Sequence, residues 1–260
     1  MSELRVRTDP LNPGQFFACC GLFELMERMV PGACAQFVVS DANLRQAEFV
    51  VEAKQLPELE TVLRGLRGAK FEQIEVAEKS VWPVRLSVAG EVFVLDWWLD
   101  AFREKPSNLK CWAGQVTAKK LFDDLLPLIE PSSGPGGLMT AAAMSKSKFG
   151  VDPRSAWNAL DFGFSPDVQN KDTATYPAVE MLAAIGLQGF RPKVERREGV
   201  LRAAFHLWTI PLPLAVARMG AVAAWDGLPR LDYQFLISKR GQSYKYFAQA
   251  EFRQRKDFTA

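Results

Sequence analysis

Asn12-Pro13-Gly14-Gln15-Phe16-Phe17-Ala18-Cys19-Cys20-Gly21-Leu22-Phe23-Glu24-Leu25 is the stretch that decides how this chain begins to fold. Asn12 suits a helix N-cap, because its side-chain oxygen can accept an N–H of the first turn. Pro13 fits that turn, whose N–H groups have no intrahelical partner. Phe16, Cys19, Cys20, Phe23, Met26 and Met29/Val30 recur at helical spacing until Pro31-Gly32 stops the run. Upstream, Leu4, Val6 and Thr8 alternate with Glu3, Arg5 and Arg7, which predicts a short strand with one charged face. Downstream, Cys34 to Val39 reads as a second strand. The opening is therefore strand, helix, strand.

The same reading carries along the chain. Leu56 to Leu66 predicts a helix closed by Gly68. Val84 to Val88 and Val92 to Trp97 form a hairpin across Ala89-Gly90. A helix is expected within Gln115 to Ile129, with Leu121, Leu125 and Leu128 on one side. Pro177 to Leu187 and Leu212 to Ala224 read as helices, and Leu201 to Trp208 as a strand. Leu231 to Ile237 and Ser243 to Phe252 form a last hairpin across Lys239-Arg240-Gly241-Gln242. The fold class is α+β, an antiparallel or mixed sheet with packed helices. Pro131-Ser132-Ser133-Gly134-Pro135-Gly136-Gly137 is the clearest breaker. It divides residues 1–130 from 156–260, with 131–155 expected as a flexible basic loop or seam; one continuous domain fits as well.

Composition excludes more than it selects. Apolar residues make up 48% of the 260, enough for a substantial core. No run approaches the roughly 18 apolar residues of a membrane span, and Met1-Ser2-Glu3-Leu4-Arg5 lacks a signal-peptide core. The cytoplasm is the expected location. Cys19, Cys20, Cys34 and Cys111 have no C-x-x-C spacing, so zinc-knuckle and redox readings lack support. The single histidine, His206, removes most triad and zinc chemistry, and its setting reads as a half-buried strand. Asp123-Asp124 and Asp152/Asp161 show no metal-ligand pattern, and Pro135-Gly136-Gly137 with Lys146-Ser147 is not a phosphate-binding P-loop. Neither a cofactor nor a metal is expected.

Charge is nearly balanced at +2 but unevenly placed. Residues 41–100 carry 7 basic and 11 acidic side chains, whereas 136–260 carry 17 and 11. Such asymmetry points a basic face toward a polyanion. Three segments concentrate it. Lys146 and Lys148, with Arg154 beyond, can follow a phosphate backbone, and Phe149 can stack on or wedge between bases. Arg191, Lys193, Arg196 and Arg197, near Arg202, offer guanidinium forks for phosphate oxygens. Lys239, Arg240 and Lys245 sit in the last hairpin, where Tyr244 and Tyr246 share one strand face. Each segment has a plainer alternative: a solvated loop, an exposed hairpin tip, ordinary sheet packing. Trp97, Trp98 and Trp112 are candidates to face neighbouring subunits.

Residues 12–25 also carry a resemblance. Together with Phe149-Gly150-Val151-Asp152-Pro153-Arg154-Ser155-Ala156-Trp157-Asn158-Ala159-Leu160-Asp161 and Gly163-Phe164-Ser165, they resemble CRISPR-associated proteins of the type I-U (I-G) systems, in the Csb/Csx group. A third block, Glu180 to Pro192 with Leu207-Trp208 and Pro211-Leu212-Pro213, extends the likeness over most of the chain. The resemblance implies a subunit of an RNA-guided surveillance complex in antiviral defence. It implies an RRM-like (ferredoxin-like, repeat-associated superfamily) core, with guide RNA or target DNA and other subunits of the complex as partners, and no membrane. It transfers no catalytic residue.

Three functions follow as expectations. The first is a non-catalytic subunit gripping nucleic-acid phosphates while guide–target pairing reads sequence. The second is a metal-independent endoribonuclease maturing guide RNA, with His206, Tyr244 or Lys245 assisting the 2′-hydroxyl. The third is a protein–protein adaptor.

Overall fold

The computed structural model describes residues 1–40, 43–76, 78–100, 102, 105–113, 116–156, 171–222, 227–240 and 244–253. The chain opens with β1 (Ser2–Thr8), α1 (Pro13–Met29), β2 (Cys34–Ser40) and β3 (Asn43–Ala53). Next come α2 (Leu59–Arg67), β4 (Lys70–Gln73), β5 (Val84–Val88), β6 (Glu91–Leu95), β7 (Leu99–Asp100) and β8 (Lys105–Pro106). The middle holds α3 (Ala118–Leu125), α4 (Gly134–Gly137), β9 (Ala143–Ser145) and β10 (Thr173–Thr175). The chain continues through α5 (Pro177–Gly189), β11 (Val194–Arg197), β12 (Val200–Trp208), β13 (Leu212–Pro213) and α6 (Leu214–Ala221). It closes with β14 (Arg230–Arg240), β15 (Tyr244–Phe247) and β16 (Glu251–Arg253). The α+β expectation holds, with several antiparallel sheets and six helices among the described residues.

The opening forms as its residues dictate. Asn12 caps α1, its Oδ1 accepting the Gln15 N–H at 3.2 Å. β1 and β2 both pair antiparallel with β3, in the order β1-β3-β2-β13. Register sets Val6 and Phe37 opposite Phe49 on the sheet's buried face. A second sheet runs β11-β12-β14-β15, with β16 also on β14. Helix α1 lies against both sheets. Phe16 stacks on Phe205 of the second sheet at 4.3 Å between centroids and on Phe37 of the first at 5.5 Å. Trp208 ties the sheets together, donating its indole N–H to Ala35 O at 2.7 Å.

Helices α1 and α5 touch backbone to backbone. A Cβ at Gly21 would sit 1.9 Å from Leu182 O, and one at Gly186 only 2.1 Å from Phe17 O. Glycine at both places is what permits the crossing. Almost every face of α5 is therefore buried, and it presents one acid, Glu180, to the interior.

Two expectations are corrected here. Trp97 and Trp98 are fully buried and Trp112 is 3% exposed, so none offers a face to a neighbouring subunit. Their rings cluster with Phe149, and the N–H groups of Trp97 and Trp98 end on Ala184 O and Val81 O. Residues 131–155 also contribute to the core. Leu138, Met139, Phe149 and Val151 join the one apolar cluster that runs from Val6 to Ala250. Leu128, expected on one side of a helix with Leu121 and Leu125, is exposed in a 3-10 turn after α3. No helix among the described residues is long and apolar enough to cross a membrane.

Candidate nucleic-acid interface

Glu180 builds the site from behind. Its Oε2 accepts the N–H groups of Phe149 at 2.8 Å and Gly150 at 3.1 Å, and its Oε1 accepts that of Asp152 at 3.3 Å. Burial first, and then the neighbouring Asp152 charge, push the Glu180 carboxyl up to about 7. Asp152 is itself fully buried and accepts from Asn12 Nδ2 at 2.9 Å. It also takes the Arg154 guanidinium at 2.6 Å. Gly150 holds φ +83°, and a Cβ there would lie 3.1 Å from Cys111 Cβ and 3.2 Å from Lys245 O. Glycine thus lets this segment reach β15, where the Phe247 N–H bonds Gly150 O at 2.9 Å.

In front of this frame lies a cavity of about 270 Å³. Trp112, Leu121 and Phe149 give it an apolar floor, and Lys120, Lys146 and Lys148 edge it. Tyr244, Lys245 and Tyr246 of β15 form a further wall. Two residues apart on a strand, the tyrosines project to one face. Lys148 Nζ bonds Ser155 O at 2.7 Å and Thr173 Oγ1 at 3.0 Å. Lys120 Nζ meets Asp124 at 2.7 Å, and Ser147 Oγ donates to the same carboxylate. Burial alone would raise the Asp124 carboxyl, but these partners outweigh it and hold the group low.

Positive charge continues past the cavity. Lys245 extends its Nζ to Asn108 O at 2.9 Å. Burial lowers its pKa, and repulsion from Arg196 and Lys239 adds to the fall. Lys110 is lowered to about 8 by burial, with Lys245 contributing. Its Nζ bonds Trp112 O at 2.9 Å and lies 5.1 Å from the Trp112 ring centroid.

The structure thus sorts the sequence-predicted residues into groups. Lys146, Lys148 and Lys245 meet at the cavity, with Arg196 and Lys239 near enough to act on Lys245 electrostatically. Phe149 also lines the cavity but is fully buried among tryptophans, so its ring cannot wedge between bases. Arg154 is corrected to an internal role, bound to Asp152, to Met139 O at 2.8 Å, and 3.5 Å from the Tyr176 ring centroid. Arg191 is paired with Asp96 at 2.7 Å, while Lys193 and Arg197 share Glu195 at 3.4 and 2.9 Å. Arg240 pairs with Tyr244 in register, and its side chain lies outside the described residues.

The nuclease candidates do not converge. His206 is buried against Asp232, with Nδ1–Oδ1 at 2.6 Å, and Arg230 holds the same carboxylate at 3.0 Å. His206 stands opposite Asp232 and Tyr244 opposite Arg240. Those positions lie at opposite ends of β14, about 26 Å apart at strand rise.

Lys120 and Glu180 are the site residues that periodicity passed over. The signal for Glu180 was present: one acid inside the otherwise apolar run Ala178-Val179-Glu180-Met181-Leu182 demands buried donors. Among the described residues no cluster of three or more His, Cys, Asp or Glu could hold a metal ion. Compared with protein-family models, with curated proteins and with solved structures, the chain gives no match.

Proposed function

We propose that this protein is a non-catalytic, cytoplasmic nucleic-acid-binding subunit of a type I CRISPR surveillance complex, holding guide RNA or target DNA by its backbone. The observation that carries the reading is the meeting of Lys120, Lys146, Lys148 and the Tyr244–Tyr246 strand around one cavity. These residues come from three distant parts of the chain. Amines beside tyrosines on a sheet suit a single strand, whose phosphates need cations and whose bases need flat partners. The type I-U (I-G) resemblance supports the same reading, since residues 149–156 and 180–192 contain the wall and the frame of the cavity. An RRM-like core is supported in its first half, where β3 lies between β1 and β2 after a strand–helix–strand opening. The later strands depart from that plan, because β12 and β14 build a separate sheet.

Binding of short single-stranded RNA and DNA across a salt series tests the proposal. Three lysines neutralising phosphates give a slope of log affinity on log salt of about −2 for single strands. Charge reversal at Lys120 and Lys146 flattens it. Affinity that ignores salt, or no binding at low salt, overturns the proposal.

A further inference from the structure

We infer that the 270 Å³ cavity holds one unstacked nucleotide of the bound strand, with its base in the pocket and its phosphate at the lysine rim. This rests on the nucleic-acid reading above and narrows it. Size comes first: at about 270 Å³ the cavity stands at the lower edge of the range of about 300 Å³ where ligand pockets begin, which suits a single base better than a stacked pair or a duplex. Chemistry divides it in the way a nucleotide is divided. The floor of Trp112, Leu121 and Phe149 is apolar, while Lys120 and Lys146 at the edge are exposed cations. The flat partners a base needs are Tyr244 and Tyr246, half-buried in the wall. Inorganic phosphate would satisfy the rim but leave the floor bare.

Affinities of short oligouridylate and of an equally long strand of abasic ribose phosphates, at one low salt concentration, test the inference. Stacking on the tyrosine wall makes the intact strand bind about tenfold or more tightly than the abasic one. Val116→Trp, which fills the cavity from its wall, brings the intact strand down to the abasic level while the salt slope stays. If that variant melts early by circular dichroism, Tyr246→Leu is read in the same assay with the same expectation. Equal affinity for intact and abasic strands overturns the inference and leaves the phosphate grip standing. Failure of both strands to bind removes the nucleic-acid reading itself. Uridine monophosphate displaces the strand where inorganic phosphate at equal concentration does not; equal displacement by both also overturns the inference. Tighter binding of uridine monophosphate than of the strand overturns its strand-borne form in favour of a free nucleotide ligand.

Discussion

Lys146–Asp152 and Arg191–Arg202 are alike as sequence, each setting basic residues beside an aromatic and a glycine, and they part company once folded. In the first, the acids lie behind the chain: Glu180 and Asp152 are buried and bind backbone N–H groups, Asn12 and Arg154. Lys146 and Lys148 stand at the edge of a cavity, Lys148 held by Ser155 O and Thr173 Oγ1. In the second, the acids lie beside the cations on the surface, where Glu195 takes Lys193 and Arg197, and Asp96 takes Arg191. Counting positive charge does not distinguish a binding surface from a self-neutralised hairpin. Where the carboxylates point does.

Removing the buried acid breaks the first region most severely. Glu180→Ala strands three N–H donors in the interior, each costing on the order of 1–3 kcal/mol. The expected loss, read by denaturant unfolding, is about 3 kcal/mol or more. Glu195→Ala in the second region changes stability by under about 1 kcal/mol, as exposed pairs do. A small effect at Glu180 would erase the contrast.

The same acid sharpens the comparison through pH. Its folded pKa is raised from 4.5 to about 7. The folded state therefore holds more protons than the unfolded state between those values, so this contribution is complete below 4.5 and is lost as pH rises through 7. Stability falls across that window, and Glu180→Gln removes the slope in a pH series of unfolding curves.

Binding effects come next. Lys120→Glu with Lys146→Glu weakens single-strand binding at low salt by about tenfold or more. Lys193→Glu with Arg197→Glu changes it by about twofold at most, because neither residue lines the cavity. The smallest expected effect is on stability: Arg191→Ala, which leaves Asp96 with Gln188 as its remaining partner, costs about 1 kcal/mol or less and moves the melting temperature by a few degrees at most.

Much of this fold could be read from the chain, and the exceptions have physical reasons. The Asn12 cap, the Pro31-Gly32 stop and the Ala89-Gly90 turn are local signals, and each stands where expected, with Ala89 and Gly90 at positive φ. The long central strand β3 carries Asn43, Arg45, Gln46 and Glu48 among its apolar residues, and its register, shifted between Val39 and Ser40 of β2, comes only from pairing on both sides. The site was half legible. Lys146, Lys148 and Lys245 advertise themselves by charge. What brings them together is the approach of Gly150 to Cys111, 39 residues away, and to β15, about 95 residues away, which no local pattern encodes. Phe149 reads as a stacking ring because it follows lysines, and Trp112 as a face for a neighbouring subunit, yet four rings pack into one buried cluster there.

Ultraviolet crosslinking of bound single-stranded RNA, mapped by mass spectrometry of the peptides, addresses the central claim directly. The account predicts adducts on Tyr244, Tyr246 and the Lys146–Lys148 segment, with little on Arg191–Arg197. Adducts concentrated on Arg191–Arg197, with the cavity strand unlabelled, would contradict it.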